Sequence, residues 1–128
     1  MPVEDALCDS VVSERSVRFT EEQIAEYAQA SGDINPIHLD DDFARSVGLP
    51  GLIAHGMLQM GLMGVVAGEA AGGPDKLTRL YCRFAGMVVP GDTVTFTAQP
   101  AGPGKLQLRA VNQKGEAVLT KASADFTE

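Results

Sequence analysis

Positive charge is scarce in this sequence: 10 Lys and Arg stand against 17 Asp and Glu, giving a formal net charge of −7 and a pI near 4.7. A surface that wraps a polyphosphate backbone needs the opposite balance, because non-specific nucleic-acid affinity comes from cations neutralising phosphates. Nucleic acid is therefore not an expected partner, and an anionic ligand has to be met by a local device such as a helix N-terminus or a small basic cluster. Cysteine is scarcer still. Cys8 and Cys82 lie far apart, form no CxxC pair and follow no secretory segment, so a reduced, cytoplasmic protein is expected rather than a disulfide framework. Long apolar runs are missing too. The stretch 52–67 is interrupted by His55 and Gln59 and falls short of the roughly 20 residues that span a bilayer, so no membrane association is expected and the segment reads as a buried helix.

What is present is ordinary for a globular chain: 128 residues, 45% hydrophobic and 21% charged, with 14 Gly and 7 Pro in no repeating pattern. That length suits one domain able to bury a core without metal or disulfide staples. Residues 1–10 show no period and carry Glu4, Asp5 and Asp9, as a loosely held terminus would. A first strand is predicted over 11–19. Thr20-Glu21-Glu22-Gln23 has the form of a capping box, with Ile24, Tyr27 and Ala28 following at helical spacing, so a helix is predicted over 21–30 and ended by Gly32. A short helix over 40–47 ends at Gly48. From His55 to Ala70 almost every position is apolar or glycine, and a helix apolar on all sides has to be wrapped by other structure. Strands are predicted over 77–88, 93–99, 105–112 and 117–126, separated by Pro90-Gly91, Gly102-Pro103-Gly104 and Lys114-Gly115. One buried helix followed by a meander of strands is an α+β pattern, an antiparallel sheet curled around the helix.

Two short segments carry the chemistry. Asp33 and His38 share one polar loop, and a carboxylate with an imidazole is the usual equipment of general acid/base catalysis. The Asn35-Pro36 turn permits both side chains to converge on a shared water; on spacing alone the bland alternative, an Asp that caps a turn beside a half-buried His, is the favoured reading. In Ala54-His55-Gly56-Met57 a glycine opens the apolar helix, where a free amide can stabilise the enolate oxygen of a thioester. A plain loop-to-helix junction would read the same way.

Taken together, Ser31-Gly32-Asp33-Ile34-Asn35-Pro36-Ile37-His38, Ile53-Ala54-His55-Gly56-Met57 and the later Val89-Pro90-Gly91-Asp92-Thr93 closely resemble the signature of the MaoC-like (R)-specific enoyl thioester hydratases and dehydratases. The resemblance implies a hot-dog fold and a homodimer with active sites near the subunit interface. It also implies reversible hydration of trans-2-enoyl thioesters of coenzyme A or an acyl carrier protein, with no metal or other cofactor. By the same resemblance Asp33 and His38 handle the water and its protons, and Gly56 N–H holds the thioester oxygen. Asn35 holds the loop, and His55 has a structural place at the helix start.

Met57, Met60 and Met63 are candidates for an acyl tunnel or for core filling. Arg45, Lys76, Arg79, Arg83 and Lys105 are candidates for the phosphates of the carrier or for solvated charges, and Cys82 reads as a small buried hydrophobe. The chain departs from the family pattern in its short N-terminal strand region and in Gly61 and Gly64, where some members carry a hydroxyl side chain. A partner-dependent or non-catalytic hot-dog subunit is the alternative those departures motivate. A hot-dog thioesterase is a further one, opposed by the position of Glu69 at the far end of the helix from Gly56.

Overall fold

A computed structural model describes residues 12–127; the expected loose terminus over 1–10 lies outside the described residues. Strand β1 (Ser13–Arg18) leads into helix α1 (Glu21–Ser31), a single 3-10 turn (Pro36–His38) and the short helix α2 (Asp41–Ser46). The long helix α3 (Gly56–Ala71) follows, then a second 3-10 turn (Pro74–Lys76) and strands β2 (Leu77–Phe84), β3 (Thr93–Pro100), β4 (Lys105–Val111) and β5 (Ala117–Phe126). The strands form one five-stranded sheet in the order β1-β3-β4-β5-β2, with every pairing antiparallel.

Alternation along the strands decides which face meets the helix. In β3, Val94, Phe96 and Ala98 are buried; in β4, Leu106, Leu108 and Ala110 are. They close on Met63, Val66 and Ala67 of α3, with Phe19 and Ile24 sealing the end where β1 hands over to α1. Each large apolar side chain so buried contributes about 1.5–3 kcal/mol. A two-residue side-chain period would drift out of phase along β5. There Thr120 and Lys121 stand opposite the single residue Arg109, and Lys121 takes a positive φ of 50°, so Leu119 before the bulge and Ala122 and Ala124 after it are all buried; a second register shift, at Val118, accompanies the burial of that side chain too.

The α+β sheet-on-helix arrangement follows the sequence reading, and this is the hot-dog fold. Three local expectations needed correction. Strand β2 ends at Phe84 rather than Val88, because the chain turns away there: Ala85 N and Gly86 N both donate to Val118 O, and Val88 O instead accepts from Ala54 N at 2.7 Å. The first strand covers Ser13–Arg18, since Phe19 N donates to Asp92 O in the 89–92 turn. Finally, α3 is not wrapped all round within one chain. Met57, Gly61, Val65 and Glu69 are exposed along one side of it, beside the exposed Tyr81 and Phe84 of the edge strand β2. No helix among the described residues is long and apolar enough to cross a membrane.

Candidate active site

The loop after α1 is built from short side-chain-to-backbone bonds that its own sequence supplies. The capping box closes the start of α1, with Thr20 Oγ1 accepting from Gln23 N and Gln23 Oε1 from Thr20 N, while Gly32 ends it at φ 79°. Ser31 Oγ accepts from Asp33 N at 3.2 Å, Asp33 Oδ1 from Asn35 N at 3.4 Å, and Asn35 Oδ1 from Ile37 N at 3.1 Å. Asn35 O then accepts from His38 N, which winds Pro36–His38 into a 3-10 turn and swings the imidazole back toward Asp33. Asn35 is thus occupied with the backbone. Asp33 makes the Asx-type bond of the bland reading and still leaves its second oxygen, Oδ2, free to face His38.

The segment before α3 clamps that turn. Ile53 N donates to Ile37 O at 3.1 Å, Leu52 N to Asp41 Oδ1 at 3.0 Å, and Ala54 N to Val88 O. Asp41 is held ionised by Arg45, whose Nε donates to Oδ2 at 2.8 Å; that bond and the Leu52 amide lower its pKa from the ordinary value. Arg45, a candidate for a phosphate contact, is therefore engaged with Asp41.

Asp33 Oδ2 lies 3.9 Å from His38 Nε2, too far for a direct hydrogen bond and suited to one bridging water. His38 is buried, with only its edge reaching the surface, whereas the Asp33 side chain is about half exposed. His38 Nδ1 is 2.7 Å from Ile53 O. A carbonyl can only accept, so the proton of the neutral ring sits on Nδ1 and Nε2 carries a bare lone pair toward Asp33. His55 lies under this pair: its ring stacks on His38 with centroids 3.8 Å apart, and its Nε2 donates to Asp33 O at 3.0 Å. Among the described residues Asp33, His38 and His55 bring three possible ligand atoms within 4.8 Å of one another. Stacked imidazoles aim their in-plane lone pairs side by side rather than at one point, and each ring already has one nitrogen committed to a carbonyl, so the trio is poorly arranged to hold a metal.

His55 is also the residue before the first turn of α3, and its side chain makes no capping bond, which leaves the amides of that turn without a side-chain acceptor. Gly56 opens the helix and lines a cavity of about 250 Å³ with Ile53, Ala54, Gln59 and the Phe84–Met87 segment. A Cβ at position 56 would stand 3.0 Å from the Phe84 ring, so a larger residue here would press on that exposed side chain; the backbone angle itself does not demand glycine. Gln59, one helical turn on, is buried with its Oε1 unpartnered among the described residues.

The expected site residues separate into two groups. Asp33, His38 and His55 converge, Asn35 shapes the loop that carries the first two, and Gly56 follows His55 at the start of α3, lining a cavity of its own. Met57 is 58% exposed beside Gly56 on α3, Met60 is half-buried, and Met63 belongs to the core. Arg83 is exposed on β2 and donates from Nε to Tyr81 Oη at 3.3 Å; Arg79 lies over the Tyr81 ring, Lys105 pairs with Asp125, and Lys76 is exposed. Cys82 is partly buried, and desolvation raises its thiol pKa. Glu69 ion-pairs with Arg15 at 3.2 Å, thirteen residues and so about 20 Å along the helix from Gly56. Sequence reasoning did not find Gln59, Phe84 or the histidine stack. The stack joins residues 17 apart in sequence and has no local signature.

Comparison with known proteins places these features in one family. The MaoC like domain model matches residues 3–123. The chain is 35% identical over 118 residues to the peroxisomal hydratase-dehydrogenase-epimerase of Neurospora crassa, covering 92% of this chain and 12% of that protein. It is 36% identical over 85 residues to the (R)-specific enoyl-CoA hydratase of Rhodospirillum rubrum, covering 66% of this chain and 59% of that one. The chain thus spans less than two thirds of the length of either relative. Among solved structures it is similar to the (R)-hydratase from A. caviae involved in PHA biosynthesis, with a TM-score of 0.76 and 28% identity over 88% of this chain and 89% of that one. With 121 of its 128 residues under the domain model, the chain belongs to the MaoC-like dehydratase family.

Proposed function

We propose that this chain adds water reversibly to trans-2-enoyl thioesters to give (R)-3-hydroxyacyl thioesters, with Asp33 and His38 as the acid/base pair and Gly56 N–H as the oxyanion donor. The observation that carries the reading is the 3.9 Å gap between Asp33 Oδ2 and the bare Nε2 of His38. Both groups accept, so a water between them has both hydrogens engaged and turns a lone pair outward to the β-carbon. As the new C–O bond forms, one of the pair takes a proton from the water and the C=C electrons move to the thioester oxygen. The enolate is tolerable because the start of α3 offers amides where that charge appears. Return of the same proton to the α-carbon completes the addition and restores both residues. Dehydration is the reverse path.

The working unit in this proposal is a homodimer. Met57, Val65, Phe84 and Met87 are exposed apolar side chains around the site and along α3, and β2 ends the sheet as an unpaired edge among the described residues. A second copy covering that face would also narrow the approach to Gly56.

Incubation with crotonyl-CoA, followed as loss of enoyl absorbance, with chiral analysis of the product, tests the activity. Formation of (R)-3-hydroxybutyryl-CoA is expected. Release of free thiol without hydration would replace this reading by the thioesterase one.

A further inference from the structure

His55 performs no step in the hydration above, yet it is the most deeply buried polar side chain of the site, 1% exposed against 8% for His38. Its ring touches each part that has to be placed. Nε2 donates to the backbone carbonyl of Asp33 at 3.0 Å, and the ring lies against His38 at 3.8 Å with an interplanar angle of 22°. Tyr27 of α1 packs against it edge-on at 4.8 Å, which ties the group to the scaffold. The other nitrogen, Nδ1, is buried with no partner among the described residues. A buried acceptor left unpaired is unfavourable, and a phenyl ring would fill the same space without it. Packing alone therefore does not account for an imidazole here; the donor to Asp33 O does.

We propose that His55 is a positioning residue for the acid/base pair, acting through two separable restraints. Its stacked ring sets the plane of His38, and so the direction of the Nε2 lone pair. Its Nε2–H holds the Asp33 carbonyl, and through it the height at which the carboxylate meets the water. The inference rests on the reading of Asp33 and His38 as the hydrating pair. It assigns His55 no contact with substrate.

Three substitutions separate the restraints: His55→Phe keeps a ring and loses the donor, His55→Gln keeps a donor and loses the ring, and His55→Leu loses both. With crotonyl-CoA as the probe, His55→Leu is expected to lower kcat by about 100-fold, as misplacement of reacting groups by about 1 Å does, with KM little changed. His55→Gln and His55→Phe should each recover part of that loss. In an Asp33→Asn background His55→Phe should cost much less than it does in the unsubstituted protein, because a carboxylate that is gone no longer needs placing. Equal kcat for the three variants, a loss expressed only in KM, or an undiminished loss in the Asp33→Asn background would overturn the proposal. Should the variants fail to fold, 15N NMR of the histidine rings in the unsubstituted protein still decides: a bare Nδ1 and a protonated Nε2 on His55 are required, and the opposite tautomer refutes it. If the unsubstituted protein hydrates nothing, the proposed function fails, while the tautomer result continues to judge the placement of the Asp33 loop separately.

Discussion

Gly56→Ala isolates the oxyanion donor from the rest of the site. A Cβ at this position would lie 3.0, 3.1 and 3.3 Å from three atoms of the Phe84 ring, where carbon pairs prefer about 3.5–4.0 Å. Either the ring or the start of α3 has to give by a few tenths of an ångström. Phe84 is 55% exposed and free to yield, and alanine is the better helix former by up to about 1 kcal/mol, so the net change in stability should stay within about 1 kcal/mol. Activity should not be spared. Removing one oxyanion donor outright costs about 10²- to 10³-fold, so a displaced donor should cost about 10- to 100-fold in kcat for crotonyl-CoA hydration. The cause is checked by a double-mutant cycle with Phe84→Ala, which takes away the atoms the new methyl meets. Gly56→Ala should then cost little when compared with Phe84→Ala alone. Wild-type rates in Gly56→Ala would refute displacement of the donor by the new methyl, and an equal loss in both backgrounds would refute the steric route through Phe84.

Asp33→Asn preserves the oxygen that accepts from Asn35 N but cannot take a proton, so hydration should fall by about 10²- to 10⁴-fold while thermal unfolding shifts by no more than about 0.5 kcal/mol. A kinetic loss that tracks a lost melting temperature would argue for a structural Asp33 instead. Asp41→Asn should destabilise the fold at neutral pH, because Asp41 joins Arg45 to the Leu52 amide. The folded-state pKa of Asp41 lies below the ordinary carboxylate value, so its contribution is present above that value and is lost as pH falls through the folded one. The gap in melting temperature between the two proteins should therefore close on acidification; a gap that widens would contradict the assignment. Cys82, its thiol pKa raised by burial, should react with iodoacetamide more slowly than a free cysteine at pH 8, as peptide mapping would measure, and full labelling should leave hydration unchanged.

The parts of the fold that were legible are those that local chemistry dictates. Thr20 and Gln23 announced the start of α1, Gly32 its end, and the alternation in β3 and β4 gave both strands nearly to the residue. The boundary at Phe84 was not legible, because Gly86, Met87 and Val88 are as strand-compatible in isolation as β2 itself; what removes them is the demand of Ala54 N for Val88 O, a bond between segments 34 residues apart. The site divides in the same way. Asp33, His38 and Gly56 stood out through spacing and resemblance, but spacing could not choose between a capping Asp and a catalytic one. The structure shows that the two arrangements are compatible, one on each carboxylate oxygen: Oδ1 accepts from Asn35 N and Oδ2 faces His38.

The expectation that failed for α3 is the one with the widest consequence. A sixteen-residue helix with apolar residues and glycine on nearly every side was expected to be enclosed, and the curved sheet encloses only the side that carries Met63, Val66 and Ala67. The inference from composition concerned the environment of the helix, and it does not specify which chain supplies that environment. A Cβ at Gly61 would meet nothing within 4 Å and one at Gly64 only Leu80, so another backbone can approach this open side closely, and a cavity of about 490 Å³ lined by Gly64, Val65, Gly68 and Glu69 opens farther along it. The open side begins at Met57, next to Gly56. In the proposed homodimer, the copy that covers it would also form a wall of the cavity at Gly56, which would couple assembly to substrate binding through the first turn of α3. Under that proposal the exposed Met57 would be a flexible apolar side chain at the rim, packing against the second subunit and an acyl chain together, while Met63 fills the core.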